Sequence, residues 1–451
     1  MKRIFQSVCS VAVALACLGT ASIADAQTVY RVDQAAPVAG ADGLSWATAF
    51  PAIEMALANA NVGDTIWVKT GVYIPRQQTV PGDPRSVTFD IPSGVDLYGG
   101  FDGTELQLSD RAGLFSQTIL SGELGTPLPA DNAYHVLTMV NNFFGSEIDG
   151  FVIADGNAMG AANPNGGAAR TFNSNFAWFR NVTFVRNMAE QGGALYSQLT
   201  NIYTSRCTFR RNSSVDDGGA VYIRVAEHFS SNSRYHNNAS RGRGGAVFIR
   251  NSASQCEMLN CVLDENLSLA RGGGIFVASG FLLGDGASLP GGNLRVTNCT
   301  FNANAAVFGE GGGLWANESA MVPPTIEINN SIFWDNRDGN TMTNNDQIGG
   351  VNQVDFCDVQ GGYAGTSNFS ANPAFVDAMN DNFRLQAISP CRNAASNSLL
   401  IQDILDVDGD VDFLEQVPLD VYDGPRVRQG IVDVGAAETF LGDAGGQGTN
   451  Q

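Results

Sequence analysis

Four aspartates alternate with other residues in the segment DVDGDVD, at Asp406, Asp408, Asp410 and Asp412. Alternate carboxylates can direct several oxygens towards one hard cation such as calcium. An EF-type loop beginning at Asp406 would need glycine at its sixth position and an acidic residue at its twelfth, but valine stands at both. We therefore expect either a structural calcium in another geometry or a solvated acidic turn, and in neither case a catalytic centre.

A second set of charged and polar residues comes directly before a series of glycine pairs: Gln191, Asp217, Arg243, Arg271 and Glu310. Eliminative cleavage of a polysaccharide needs aspartates that hold calcium beside a basic proton acceptor on one outward surface. This set is the closest arrangement to that in the chain. Its alternating signs favour a column of surface ion pairs, so we predict no catalytic residues here or elsewhere in the chain.

The glycine pairs recur along the chain, and their first members are Gly166, Gly192, Gly218, Gly244, Gly272 and Gly311. A fixed spacing between about 20 and 50 residues indicates a solenoid in which each repeat stacks on the next. Each repeat contains short runs rich in Val, Ile, Phe, Tyr and Thr without a helical stripe, so the repeats are built of strands. A coil of three short strands and their turns needs roughly 25 residues and rises one strand spacing, about 4.8 Å. That fits the observed period.

Asparagines recur in two columns at the same period. One column is Asn187, Asn212, Asn238, Asn266, Asn304 and Asn336; the other is Asn181, Asn232, Asn260, Asn298 and Asn330, interrupted by Arg206. Asparagine tolerates the left-handed backbone region, and stacked side-chain amides can satisfy one another from coil to coil. We predict that both columns form buried ladders at the corners of the coils.

The phrase F-x-x-N followed by GGA resembles the repeat of chlamydial polymorphic outer-membrane proteins and of related bacterial right-handed parallel β-helices. Residues 43–75 resemble the entry segment of pectin-lyase-like folds, and residues 95–105 and 119–125 resemble the first coils of secreted bacterial members. The segments 372–377, 385–391 and 432–438 resemble the closing segment of choice-of-anchor Q proteins, with Ala437 where their ending has tyrosine. The resemblance implies an all-β, right-handed parallel β-helix. One coil per roughly 25 residues gives about twelve coils over 64–377, and Phe50, Ile53 and Leu57 share one face of a predicted short helix that caps the N-terminal end. The resemblance implies no single function, because this fold serves lyases, hydrolases, adhesins and scaffolds alike.

Aromatic residues follow the last five of the six glycine pairs by a constant distance: Tyr196, Tyr222, Phe248, Phe276 and Trp315. Arg224 and Arg250 cannot lie in a dry core, since burying an unpaired charge costs several kcal/mol. Alternation along the strand then turns Ala220, Tyr222 and Arg224 outward and Val221 and Ile223 inward. We predict that the five rings and the two arginines, Arg224 and Arg250, form an exposed strip that binds a glycan; the alternative is a column that only stabilises its own sheet.

The beginning of the chain predicts export. Lys2 and Arg3 precede an apolar stretch, and Ala24-Asp25-Ala26 reads as a cleavage site. No later run reaches the roughly 18 apolar residues of a spanning helix, so we expect no membrane insertion of the mature chain.

The formal net charge of −20 disfavours nucleic acid and polyanionic substrates as ligands.

We therefore expect residues 1–26 to be a signal peptide, 27–63 an N-terminal cap, 64–377 the β-helix, 378–438 a closing segment and 439–451 a loose tail. Six cysteines follow the leader, of which Cys357 and Cys391 are the pair to examine for a disulfide.

The functional prediction is a secreted, monomeric surface or matrix protein that binds extracellular polysaccharide or a cell-surface component without catalysis. A polysaccharide lyase or glycoside hydrolase on the same fold is the alternative, and a passive structural or adhesive spacer is the second alternative. No cofactor is expected beyond the structural calcium.

Overall fold

A computed structural model describes residues 27–439 except 112, 127, 251–254, 283–287, 290, 317–321, 340–346, 404–405, 409, 411, 413 and 429. The predicted leader 1–26 and all but the first residue of the predicted tail 439–451 lie outside these residues. Within them, no helix is long and apolar enough to cross a bilayer.

The chain forms a right-handed parallel β-helix, as predicted. Each full coil contributes one strand to each of four parallel sheets, which we number 1 to 4 in the order in which the chain meets them. Sheet 1 has eleven strands, close to the roughly twelve coils expected. Its strands are Val29–Val32, Thr65–Lys69, Asp96–Phe101, Ser146–Asp149, Phe176–Arg180, Asn201–Ser205, His228–Ser231, Gln255–Leu259, Asn293–Thr297, Thr325–Asn329 and Gln353–Asp355.

Sheets 2 to 4 complete the coils. The strands of sheet 2 are Gly71–Tyr73, Thr118–Ser121, Val152–Ala154, Thr183–Val185, Thr208–Arg210, Arg234–His236, Val262–Asp264, Thr300–Asn302, Ile332–Trp334 and Asp358–Val359. Those of sheet 3 are Met188–Ala189, Ser213–Ser214, Ala239–Ser240, Leu267–Ser268, Ala305–Ala306 and Arg337–Asp338. Those of sheet 4 are Phe89–Asp90, Leu137–Val140, Ala169–Phe172, Leu195–Gln198, Val221–Arg224, Val247–Arg250, Ile275–Val277, Leu314–Ala316 and Ile348–Gly349.

Shorter elements lie outside these sheets. Two antiparallel pairs join Phe281–Leu282 to Ser288–Leu289 and Phe375–Asp377 to Asn382–Leu385. Short 3-10 helices occupy Trp46–Thr48, Pro84–Ser86, Leu108–Asp110, Phe115–Gln117, Pro129–Asp131, Ala378–Asn380 and Asn397–Leu399.

An α-helix, Ile53–Asn59, covers the N-terminal end of the solenoid. Its buried residues Ile53 and Leu57 join the core that runs through the coils. Phe50 joins the same core but precedes the helix, where it pairs with Val32. The helix therefore removes apolar surface that the first coil would otherwise expose to water.

The first asparagine column forms the predicted ladder between sheets 2 and 3. Asn238 Oδ1 accepts hydrogen bonds from the backbone N and the Nδ2 of Asn212, while Asn238 Nδ2 donates to Asn266 Oδ1 at 2.9 Å. The same pattern links the column from Asn187 to Asn336, and Gln347 Oε1 accepts from Asn336 at its end. Each buried amide thus has its partners in the next coil.

The second asparagine column differs from the prediction. Its members have positive φ, as expected for asparagine in a tight corner. Their side chains, however, bond mainly to another part of the chain: Asn260 Nδ2 donates to Leu419 O at 2.7 Å, and Asn232 Nδ2 donates to Asp420 O at 2.7 Å. The corner between sheets 1 and 2 therefore binds residues that are remote in sequence.

Residues 375–439, which we call the C-terminal strap, occupy that corner. Residues 378–438 were predicted to close the far end of the solenoid, but the described residues of this segment lie along its flank. The strap contacts Asn330 through Ser396 and reaches back to Arg180, whose Nη1 donates to Asp406 O at 3.3 Å. Phe383 and Ala436 pack on Val262 of sheet 2. The hydrogen-bonding corner and this apolar contact together hold the strap on the solenoid.

Candidate functional site

The aromatic column of sheet 4 exists, but its predicted exposure is wrong. Tyr222 stacks on Tyr196 at 5.4 Å and on Phe248 at 4.9 Å between ring centroids. These rings and Phe276 are buried, and Trp315 is half-buried. The four buried rings cannot offer their faces to a sugar, so the exposed strip on which the glycan-binding prediction rested is absent.

The alternation behind that prediction holds for the strand itself. Val221 and Ile223 lie in the solenoid core, while Tyr222 belongs to a separate apolar cluster on the other side of the sheet. Arg224 is exposed, but Ala220, just before the strand, packs in the core and not outward as predicted.

Two arginines of the charged column lie over three of the five rings. The Arg243 guanidinium lies 5.0 Å from the ring centroids of both Phe248 and Phe276. The Arg271 guanidinium lies 5.4 Å from that of Trp315. The charged column before the glycine pairs therefore lies over the aromatic column.

That charged column forms the predicted ion pairs. Arg243 Nη2 lies 2.8 Å from Asp217 Oδ2, and Arg271 Nη2 lies 3.2 Å from Glu310 Oε2. These partly exposed pairs each contribute less than about 1 kcal/mol.

The acidic segment brings three of its four aspartates together. One carboxylate oxygen each from Asp406, Asp408 and Asp410 lies within 4.8 Å of the others, and Asp403, Asp408 and Glu415 form a second such group. Asp412 joins neither group; its Oδ1 accepts from the backbone N of Leu414.

These oxygens fit a calcium ion. They are hard donors, and desolvation together with the negative charges of the neighbouring aspartates raises the pKa of Glu415. A divalent cation would relieve that repulsion. Asp403, Asp406, Asp408, Asp410 and Glu415 are therefore the residues that could hold it.

A pocket of about 310 Å³ opens between sheet 2 and the C-terminal strap. We call it the flank pocket. It is lined by Asn181, Arg206, Cys207, Thr208, Asn232, Arg234, Val262, Phe383, Val421, Tyr422 and Asp423. The register of sheet 2 places Thr208, Arg234 and Val262 side by side in consecutive coils, so the solenoid supplies one wall and the strap the other.

The charged groups of the flank pocket are held in place by ion pairs. Arg234 Nε and Nη2 donate to the two carboxylate oxygens of Asp264 at 3.0 and 2.8 Å, and Nη2 also lies 2.6 Å from Asp381 Oδ1. Arg206 Nη2 lies 3.0 Å from Asp423 Oδ1. His236 Nδ1 lies 2.5 Å from Asp264 Oδ2, and this hydrogen bond raises the pKa of His236. The guanidinium groups are therefore preorganised before any ligand arrives.

Aromatic side chains form the strap wall. Phe383 is buried, with the Arg234 guanidinium 5.6 Å from its ring centroid. The Tyr422 hydroxyl accepts a hydrogen bond from the backbone N of Phe383 at 2.9 Å and donates to Asp381 O at 3.2 Å. Arg384 stacks on the Tyr422 ring at 3.9 Å. The pocket thus combines fixed polar groups with apolar rings, the combination typical of sites for small polar ligands.

Three carboxyl groups with a pKa near neutrality lie outside the flank pocket. Burial raises the pKa of Glu257 to about 7, that of Asp358 to about 6 and that of Glu438 to about 8. None of the three is more than 7% exposed, and none lines the flank pocket. Glu257 lies on the outer face of sheet 1 beneath Ile401 and Asp403 of the strap.

All six cysteines of the described residues are buried, and none of them forms a disulfide. Cys357 and Cys391 are therefore not joined in a disulfide. Cys391 Sγ instead donates to Asp358 Oδ2 at 3.2 Å.

No family model matches the chain, and no curated protein matches it. Among solved structures, a pectate lyase, Pel9A, is 14% identical over 94% of this chain and 98% of its own, with a TM-score of 0.46. A rhamnogalacturonan lyase is 12% identical over 80% and 95%, with a TM-score of 0.39. A pectin methylesterase mutant in complex with a hexasaccharide is 12% identical over 71% and 92%, with a TM-score of 0.36. At these identities the similarity is one of fold alone.

Proposed function

We propose that the protein is an exported β-helix that binds polysaccharide in the flank pocket and does not cleave it. The observation that carries the proposal is the lining of that pocket. Guanidinium and carboxylate groups bond to vicinal hydroxyls, and the half-buried ring of Tyr422 adds an apolar surface to the same lining. Its volume of about 310 Å³ lies within the range of small-ligand sites.

The absence of cleavage is supported by the position of the titratable carboxyls. Hydrolysis or elimination needs a proton donor or acceptor within hydrogen-bond reach of the scissile bond. Glu257 has the most suitable pKa on an outward sheet face, but the strap covers it. A lyase or glycoside hydrolase remains the alternative, and a passive spacer the second.

A glycan array combined with assays for new reducing ends and for unsaturated products distinguishes a binding protein, an enzyme and a passive spacer. Replacing Thr208 with arginine should fill the flank pocket, since the next coil carries Arg234 at the same position of sheet 2. The matched control is Thr183→Arg, one coil earlier in the same column and outside the pocket lining. We expect glycan binding that Thr208→Arg abolishes and Thr183→Arg retains, with no product in either assay. Product formation would establish an enzyme, and a folded protein that binds no glycan would be a spacer.

We also propose that the acidic segment 403–415 binds one calcium ion that braces the strap. Calcium should raise the melting temperature and slow proteolysis after residue 400, and EDTA should reverse both effects. A calcium concentration of about 100 times the dissociation constant would add roughly 2.7 kcal/mol to the free energy of unfolding.

Asp408 belongs to both oxygen groups, so Asp408→Asn should abolish most of the calcium response. Asp335→Asn, on a solenoid corner far along the chain from this segment, is the control and should keep it. If neither EDTA nor Asp408→Asn changes the melting curve, the segment is a solvated acidic turn.

A further inference from the structure

The flank pocket contains the one arginine in a corner column of five asparagines that continues to Gly150 on one side and Phe356 on the other. At the corner between sheets 1 and 2, positions 181, 232, 260, 298 and 330 are asparagine, and only position 206 is arginine. All six have φ between 46° and 53°. Asparagine adopts this left-handed conformation more readily than arginine does. The backbone alone therefore favours asparagine at position 206.

Arg206 stands where its side chain enters the pocket. Its guanidinium lines the cavity and pairs with Asp423 of the strap, and both side chains are partly exposed, at 36% and 63%. At the same corner of the next two coils, neutral side chains hold the strap: Asn232 and Asn260 donate to its backbone carbonyls. Docking of the strap can thus be achieved at this corner by asparagine.

The charges around the pocket decide which saccharide it suits. Two guanidinium groups, Arg206 and Arg234, face three carboxylates, Asp264, Asp381 and Asp423. The whole chain has a formal charge of −20. A uronate carboxylate would have to displace Asp423 from Arg206, whereas sugar hydroxyls can donate to Asp423 and accept from Arg206 together.

We infer that Arg206 is the specificity-determining residue of the flank pocket and that, on the premise of the proposed function, the ligand is an uncharged saccharide with vicinal hydroxyls. The planar guanidinium fork can bond to two neighbouring oxygens at once. Of the three corner residues that line the flank pocket, Asn181, Arg206 and Asn232, only Arg206 carries a guanidinium group.

The test measures binding of uncharged cello-, xylo- and manno-oligosaccharides and of oligogalacturonate by calorimetry. Arg206→Asn gives the corner the residue of its neighbours, so its melting temperature should equal or exceed that of the unchanged protein. We expect its affinity for the uncharged ligand to fall about tenfold or more. The matched control is Arg211→Asn, which removes the same charge at another left-handed corner of the same coil, away from the pocket, and should bind normally.

Arg206→Lys distinguishes recognition from anchoring. Lysine keeps the ion pair with Asp423 but loses the fork, so the strap should stay protected from proteolysis while affinity still falls. Full binding by Arg206→Lys or Arg206→Asn would overturn the inference. Preference for oligogalacturonate would also overturn it and leave the proposed function intact. Absence of binding by every glycan on the array would reject both.

Discussion

Replacing Gly219 with alanine is expected to lower the free energy of unfolding by about 3 kcal/mol, as overpacking of a closed structure does. A Cβ at Gly219 would overlap the carbonyl oxygen of Gly245 and lie 2.6 Å from the carbonyl carbon of Ala239. Both atoms belong to the backbone of the next coil. They can move only if the spacing between coils increases, which would weaken the parallel hydrogen bonds on either side.

Thermal and urea unfolding measure this effect, and Gly125→Ala is the matched control. Gly125 is exposed, its φ is not positive, and the nearest atom to an added Cβ is Asp131 Oδ2 at 3.6 Å. We expect the control to unfold like the unchanged protein. If Gly219→Ala also does so, the coils are not in the close contact that the second glycine of each pair provides.

The two glycines of a pair have different tasks. Gly218 has a φ of 68° and makes the corner, whereas Gly219 permits close approach of the next coil. Their recurrence, together with the column that contains Asn212 and Asn238, predicted the solenoid from the sequence. Such columns are visible in the sequence because stacking in register places like residues next to each other. An insertion such as the one between Asn266 and Asn304 does not break the hydrogen bond between the two asparagines.

The exposure of the aromatic column could not be predicted in the same way. Alternation shows on which side of a strand Tyr222 lies, and that was correct. Whether that side is open depends on the neighbouring corner, where Arg243 extends over Phe248. A ladder of ion pairs and a column of rings were recognised separately, but their contact depends on side-chain directions that spacing does not reveal.

The flank pocket was missed because half of it comes from the strap. Phe383 and Tyr422 lie well over a hundred residues after Arg206 and Arg234 in the sequence, and the strap has no repeat that would give its register against the solenoid. One signal was present. The replacement of asparagine by Arg206 in the second column marked a coil whose corner side chain lines the flank pocket.

Replacing Asn238 with alanine is expected to lower the free energy of unfolding by about 1 to 3 kcal/mol, because buried groups lose their partners. Asn238 Oδ1 accepts from Asn212 N at 3.1 Å and from Asn212 Nδ2 at 3.0 Å. Its Nδ2 donates to Phe209 O and to Asn266 Oδ1, both at 2.9 Å. Truncation therefore affects polar groups in the coils on both sides of position 238, none of which water can reach without opening the ladder.

Asn237→Ala is the control, since it makes the same substitution one residue earlier. Asn237 is exposed, and the equivalent corner position two coils later is already alanine, at Ala303 with a φ of 54°. Asn237→Ala should lower the free energy of unfolding by less than Asn238→Ala does. Asn187→Ala, within the ladder, should resemble Asn238→Ala in thermal melts. Equal losses at positions 237 and 238 would mean that the corner conformation, and not the stacked amides, supplies the stability. A larger loss at position 238 would locate that stability in hydrogen bonds between coils, so that each asparagine supports its neighbours as well as its own turn.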